Sequence, residues 1–595
     1  MKTRRFSTYA VIAAVAFLIY AIADRNIREH IEIQQTAPVA KREDPNWTPN
    51  DTVTGTVLAA NFAQSQRDWA QANYYLDKLT DPTATDTTTM LRMMLLALSA
   101  GQFDRAASYA VKLEEAQKTE PKTAAQSLEA TPAGDGRDLA SLVLLAQAVR
   151  AGNLQEAQKM LNALHSPALI AFVQPVLSSW VKAGLKQPLD SGVDGLSLLQ
   201  ALHRGLAAEW AGQKDVANRV FDALARIPLT PTGTLMVAAY NIRQGRADQA
   251  RAALTEALRL NPMDIDAKAM LDALNQGQSP VLKPQWSFHL QGVSAGVGLA
   301  FMDLAQMMVS DQAGDSGLIF AQLGRMIRSD VPGLSLLVGT IFQEQKRDDD
   351  AVKVFESVQP TDIDYVEAQI RLSELRAAQD NPQAAIKILE NLMAKSPNPR
   401  VAYALGEINR QNKDYKQAVA AYDQAVSLSG GKADDDLWSV YFVRAMAYDE
   451  LGEWPKAEAD LKTALEYRPD NPHVLNFLGY SWADKNMHLA EAKDMIIRAL
   501  NRTPSDPYIT DSLGWVFFKE GDMVQALDLL ERAVSLKPYD PVLNDHLGDV
   551  YAKSGRTLEA RYQWRRALDY ADAVKDAELI EQLKEKLSSE KSVSN

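Results

Sequence analysis

Residues 507–538 read PYITDSLGWVFFKEGDMVQALDLLERAVSLKP, and this stretch decides the fold. It aligns with segments starting at Trp438, Pro472 and Pro541, at steps of 34, 35 and 34 residues. A small residue fills the eighth position of each unit: Ala445, Gly479, Gly514 and Gly548. Alanine recurs at the twentieth position (Ala457, Ala492 after a one-residue insertion, Ala526, Ala560) and at the twenty-seventh (Ala464, Ala499, Ala533, Ala567). Proline closes three of the units, at Pro469, Pro504 and Pro538, and Asp572 stands in the fourth. Fifteen of these sixteen slots match, which composition alone does not supply. A period of this length means one supersecondary unit stacked on copies of itself.

Each slot has a physical reason. Small residues at eight and twenty let the two antiparallel helices of a hairpin approach closely, and the alanine at twenty-seven lets the second helix pack on the next unit. Bulky residues fill what space is left: Leu478, Leu513 and Leu547 at seven; Tyr448, Trp482, Phe517 and Tyr551 at eleven; Leu461, Ile496, Leu530 and Trp564 at twenty-four. Proline lacks an N–H and ends the second helix. Turns such as Glu520-Gly521-Asp522 and Leu451-Gly452-Glu453 join the pair. These four units resemble the tetratricopeptide repeat, and the resemblance implies an all-α fold, an α-solenoid.

The register extends upstream through units near Gly298, Pro332, Val366 and Pro399, whose eighth residues are Ala305, Gly339, Ser373 and Gly406. One further clean unit starts at Pro231. Weaker ones show the turn-then-alanine mark at Gly101/Ala106, Gly152/Ala157, Gly212/Ala217 and around Asp68/Ala72. The expectation is about thirteen helical hairpins in two arrays. A degenerate array spans 55–274, a linker with Pro280 and Pro284 spans 275–297, and a better-formed array spans 298–572. Residues 573–587 form a capping helix and 588–595 a polar tail; residues 117–137 read as a flexible loop.

The composition narrows the functions. Of 595 residues, 46% are apolar and 23% charged, a balance that folds. Lys and Arg number 63 against 76 Asp and Glu, a net charge of −13, which is not the footprint of a nucleic-acid binder. There is no cysteine, so disulfides, thiol catalysis and cysteine-based metal sites are excluded, as is lipid attachment through an N-terminal cysteine. Residues 1–23 open with Lys2, Arg4 and Arg5 and continue into the apolar run Tyr9–Ala23, which ends Ala21-Ile22-Ala23. This reads as an export signal, placing the rest in a periplasm, or as an uncleaved inner-membrane anchor through residues 9–23. Residues 24–54, with Pro38, Pro45 and Pro49, read as a linker.

Catalytic patterns are scarce, and no catalytic residue, cofactor or metal ligand is assigned. Seven scattered histidines form no paired ligand spacing. Gly292-Val293-Ser294-Ala295-Gly296 matches GxSxG, a pattern that needs a strand before it and a helix after it to make Ser294 a hydrolase nucleophile. Binding is the alternative to chemistry. First helices line the inner face of a stack of hairpins, with positions two, five, nine and twelve pointing inward. In the last units these positions include Asn476, Tyr480, Tyr508, Asp511, Trp515, Asp545 and Asp549, an aromatic and acidic set that favours basic or neutral protein segments. Either these side chains meet a partner or they satisfy one another. Arg565 and Arg566 read as solvated.

The stretch from Val474, VLNFLGYSWADKNMHLAEAKDMIIRAL, with the two units after it, resembles large proteobacterial envelope tetratricopeptide proteins, most closely over 438–570. The resemblance implies a non-enzymatic adaptor; some members hold a carboxy-terminal-processing protease and present cell-wall hydrolases to it. This chain departs from them in lacking the lipidated cysteine. A cytoplasm-facing, membrane-anchored assembly chaperone or complex subunit is the other reading.

Overall fold

The computed structural model describes residues 53–65, 69–78, 87–119, 136–227, 229, 231–261, 264–311, 313–430, 437–573 and 576–589. The export segment, nearly all of the linker 24–54, residues 120–135 of the loop 117–137 and the last residues of the tail lie outside them. Among the described residues the regular elements are helices, with no strand. The chain divides into two compact units, Met1–Leu375 and Arg376–Asn595.

In the first unit, adjacent helices pair as hairpins: α1 (Val53–Ser65) with α2 (Trp69–Lys78), α3 (Thr87–Ser99) with α4 (Phe103–Thr119), and α5 (Arg137–Arg150) with α6 (Leu154–Asn162). A single helix, α7 (Gln174–Gly184), follows. Then come α8 (Leu198–Trp210) with α9 (Lys214–Leu224), α10 (Pro231–Arg243) with α11 (Ala247–Leu260), and the single α12 (Ile265–Asn275). The unit ends with α13 (Val293–Ser310) on α14 (Gly314–Ile327), α15 (Leu334–Glu344) on α16 (Asp348–Ser357), and most of α17 (Tyr365–Ala378).

The second unit stacks more regularly. After α18 (Pro382–Lys395) come α19 (Pro399–Gln411) with α20 (Tyr415–Leu428), α21 (Leu437–Glu450) with α22 (Trp454–Tyr467), and α23 (Pro472–Asp484) with α24 (Leu489–Arg502). The last pairs are α25 (Pro507–Glu520) with α26 (Met523–Leu536) and α27 (Pro541–Lys553) with α28 (Thr557–Tyr570). A closing helix, α29 (Ala577–Ser589), packs on α28.

The slot logic holds at atomic detail. A Cβ added to Gly479, Gly514 or Gly548 would lie 2.8, 2.8 or 2.5 Å from Ile496, Leu530 or Trp564, the bulky residue at position twenty-four of the same hairpin. The first helices α23, α25 and α27 each start on an Asx–Pro pair. Asn471, Asp506 and Asp540 accept hydrogen bonds from the next free backbone N–H groups, and the following proline occupies the first turn. Consecutive units are stapled by a guanidinium: Arg498, Arg532 and Arg566 each donate at 2.9 Å to the carbonyl of Pro469, Pro504 and Pro538. Arg566 is therefore a structural donor and not merely a solvated residue.

The expected linker 275–297 is corrected by the structure. Trp286, Phe288 and His289 are buried, and Trp286 completes the core of α10–α12. The hairpin α13–α14 does not open a new array. Its α13 packs against α5, α7 and α8, and its α14 against α3 and α5, so one hairpin lies across the first helices of several earlier ones. Helix α14 is accordingly buried all round from Ser316 to Gly324. The hairpin α13–α14 thus belongs inside the first unit, which ends at Leu375.

Candidate protein-docking surface

The seven expected groove residues separate by burial. Tyr508 is exposed, and Asn476, Tyr480 and Asp549 are half-buried. Asp511, Trp515 and Asp545 are only 4, 8 and 6% exposed, so as partner-contacting residues they are corrected: Asp511 and Trp515 fasten α25 to α27, and Asp545 is held by the closing helix. The agent is His546 on α27. Its ring stacks on Trp515 of α25 at 4.4 Å between centroids and lies parallel to Tyr480 of α23 at 6.3 Å. Its Nδ1 is 2.7 Å from Asp511 Oδ2. Burial alone pushes this imidazole down, but Asp511, Asp545 and Asp549 outweigh burial and raise its pKa above the ordinary histidine value. An imidazolium there is held by a carboxylate and by aromatic faces together. Asp511 Oδ1 and Asn476 Oδ1 are buried and receive no hydrogen bond.

The last acidic step is also closed from within. Lys586 of α29 reaches Asp545 at 2.7 Å and Asp549 at 2.8 Å, and Trp564 Nε1 donates to Asp549. Burial raises the pKa of Asp545, with Asp549 adding to it, although Lys586 opposes both. At the rim, Lys485 pairs with Asp449 at 3.2 Å and Lys519 with Asp484 at 3.5 Å.

What the wall still offers lies partly beyond the expected set. Phe442 and Met446, at positions five and nine of α21, are half-buried, as is Phe477 on α23. Phe442 meets Phe477 edge-on at 5.9 Å. With Tyr480 they make a half-covered aromatic strip along α21 and α23. Positions five and nine of the unit at Trp438 were the available signal.

The first unit differs at the matching place. Across the seam between its array and the segment ending in α13, Trp180 Nε1 donates to His203 Nδ1 at 3.1 Å, and His203 Nε2 lies 3.0 Å from Asp303. An indole donor at Nδ1 puts the imidazole proton on Nε2, facing the carboxylate. His289 meets Glu209 at 3.0 Å, and Arg243 grips the same carboxylate with two nitrogens at 2.8 and 2.9 Å. Burial drives the pKa of His289 down, and Glu209 only partly restores it. Burial raises that of Glu209, but the hydrogen bonds from His289 and Arg243 prevail and hold it low. Neither histidine was singled out by spacing, because the network joins residues 100 and 80 positions apart.

Ser294 sits in the first turn of α13, with no strand before it among the described residues. Gly292 has φ +132° at the helix start, and a Cβ on Gly296 would lie 2.3 Å from the Trp180 ring. A turn and a close approach thus account for both glycines of the GxSxG match, and the nucleophile arrangement is not built. Among the described residues no group of three His, Asp or Glu side chains is placed to hold a metal ion.

The family model for the tetratricopeptide repeat matches residues 370–435, 442–488 and 483–541. Residues 370–435 and 442–541 thus carry tetratricopeptide repeats. A tetratricopeptide-repeat-containing protein of Pseudomonas aeruginosa is 27% identical over 186 residues, covering 31% of this chain and 31% of that one. The chain thus spans under a third of the length of that curated relative. Among solved structures, a tetratricopeptide repeat protein from Parabacteroides merdae aligns with 44% of this chain and 98% of its own at 13% identity and a TM-score of 0.35. Yeast Tom70 aligns with 90% of this chain and 96% of its own at 13% identity and a TM-score of 0.31.

Proposed function

We propose that this chain is a non-enzymatic scaffold that docks protein partners on the first-helix face of its second unit. The observation that carries the reading is the strip Phe442, Phe477 and Tyr480, half-covered on a wall of helices that are otherwise packed. Aromatic side chains held rigid on a pre-formed wall bury area at small ordering cost, which is how such anchors contribute affinity. The first unit supports the assignment by contrast, since its corresponding face is taken by α13–α14.

The cellular place in this reading is the periplasm or the outer face of the inner membrane, from the basic and apolar start of the sequence. The resemblance over 438–570 suggests an envelope protease and cell-wall hydrolases as partners. Two experiments test the proposal. Residues 1–60 fused to a reporter active only after export must give activity; none would leave the cytoplasm-facing reading. Purified full chain carrying Phe477→Ala and Tyr480→Ala must lose a protein that the unaltered chain retains from envelope fractions, with helix content by circular dichroism unchanged. Equal retention would remove this face from the account.

A further inference from the structure

We infer that the first-helix face of the second unit takes an amphipathic α-helix bearing lysine or arginine, and not an extended peptide; this rests on the docking reading above. Three observations converge. The first is the chain's own precedent: across the first helices α3, α5, α7 and α8 the occupant is helical, the hairpin α13–α14. The second is α29. It presents Leu579, Leu583 and Leu587 to the apolar core of the last hairpins, and Lys586, one turn along, reaches the carboxylates of Asp545 and Asp549. Helix α29 packs on α28 at the end of the stack, so the acidic step of the last first helix already takes a lysine from a helix with an apolar stripe.

The third is what the face lacks. A wall of helices has no free strand edge, because its backbone groups bond within each helix. An extended peptide would need carboxamide side chains from the wall to pair its own backbone. Positions two, five, nine and twelve of α21, α23, α25 and α27 supply one, Asn476. A helix brings its backbone hydrogen bonds with it and needs only a stripe to cover and charges to match. The stripe is Phe442, Phe477 and Tyr480. The charges are Asp449 and Asp484, whose side chains are 30 and 49% exposed at the rim and held by lysines that an incoming cation can replace.

The probe is a short fluorescein-labelled peptide of leucine and lysine in amphipathic helical order, titrated into the full chain by fluorescence anisotropy. One companion carries glutamate for lysine, and another carries prolines that forbid a helix. The lysine helix is expected to bind, and each companion to bind at least about tenfold more weakly. Phe477→Ala should weaken the lysine helix by about tenfold. Asp484→Asn, which removes the charge and keeps an oxygen for the Trp515 Nε1–H, should weaken it several-fold and flatten its salt dependence. Tyr539→Ala, at an exposed residue in the turn before α27, should change nothing. Equal binding of the lysine and glutamate peptides, tight binding of the proline peptide, or equal loss at Tyr539 overturns the inference. Capture of an envelope protein without binding of any helix leaves docking standing and removes the helical occupant. Helix binding without protein capture does the reverse.

Discussion

The two units solve one packing problem in opposite ways. In the first, the helices α3, α5, α7 and α8 are covered by the chain's own α13–α14, and the seam holds buried imidazoles, a bidentate Arg243–Glu209 pair and an indole set against Gly296. In the second, the corresponding side chains are braced by one another through His546 and Lys586, and an aromatic strip stays half-covered. The difference explains why one array is degenerate in sequence and the other clean. A hairpin buried on a second side must fit a unique neighbour, so its slots drift from the repeat. A hairpin constrained only by copies of itself keeps them.

Chemistry at the seam and in the slots offers ways to break this contrast. The largest effect is expected from Glu209→Ala, which leaves the buried His289 and Arg243 without their carboxylate and should cost roughly 3–5 kcal/mol. Hydrogen exchange should show protection falling in α8, α10 and α13 and unchanged in α25–α28. Loss confined to the second unit would contradict the seam. Next is Gly548→Ala, whose Cβ would press into the Trp564 ring at 2.5 Å. The Trp564 indole is fixed by its bond to Asp549, so about 1–3 kcal/mol is expected, read as faster exchange in α27 and α28. No change would mean the hairpin has slack that the eighth slot does not need.

A smaller effect, opposite in sign between the units, is expected from pH. His289 has a lowered pKa in the fold, so its unit is fully stable above the ordinary histidine value of about 6.5 and loses stability as pH falls through the lower folded value. His546 has a raised pKa, so its contribution is complete below about 6.5 and fades as pH rises through the higher folded value. His289→Gln should flatten the acid side and His546→Gln the alkaline side of the respective exchange profiles. Parallel profiles in both units would contradict the assignment.

How much of this was legible follows from range. The eighth and twenty-fourth slots, Gly514 with Leu530 and Gly548 with Trp564, lie within one hairpin, and the period exposes them. The placement of α13–α14 does not show locally. Its apolar run reads like any repeat helix, and contacts such as Gln322 Nε2 to Ser99 O at 3.0 Å join residues 223 positions apart. The inward positions of the last units were legible as a set, but not which of them face outward from the wall. His546, between Asp511 and Trp515, turns two expected contacts into supports, and nothing in the spacing foretells a ring stack across two helices. Phe442 belongs to the unit at Trp438, before the final three, and Phe477 stands at position six of its unit, outside the inward set of two, five, nine and twelve.

The most direct test of the central claim places a photo-crosslinking amino acid at position 477 in the full chain, in living cells, with a control at position 558 on the 80% exposed Leu558. The account predicts a discrete protein adduct, identified by mass spectrometry, at 477 and none at 558. The same adduct at both positions, or at 558 alone, would contradict a docking face on the first helices of the second unit.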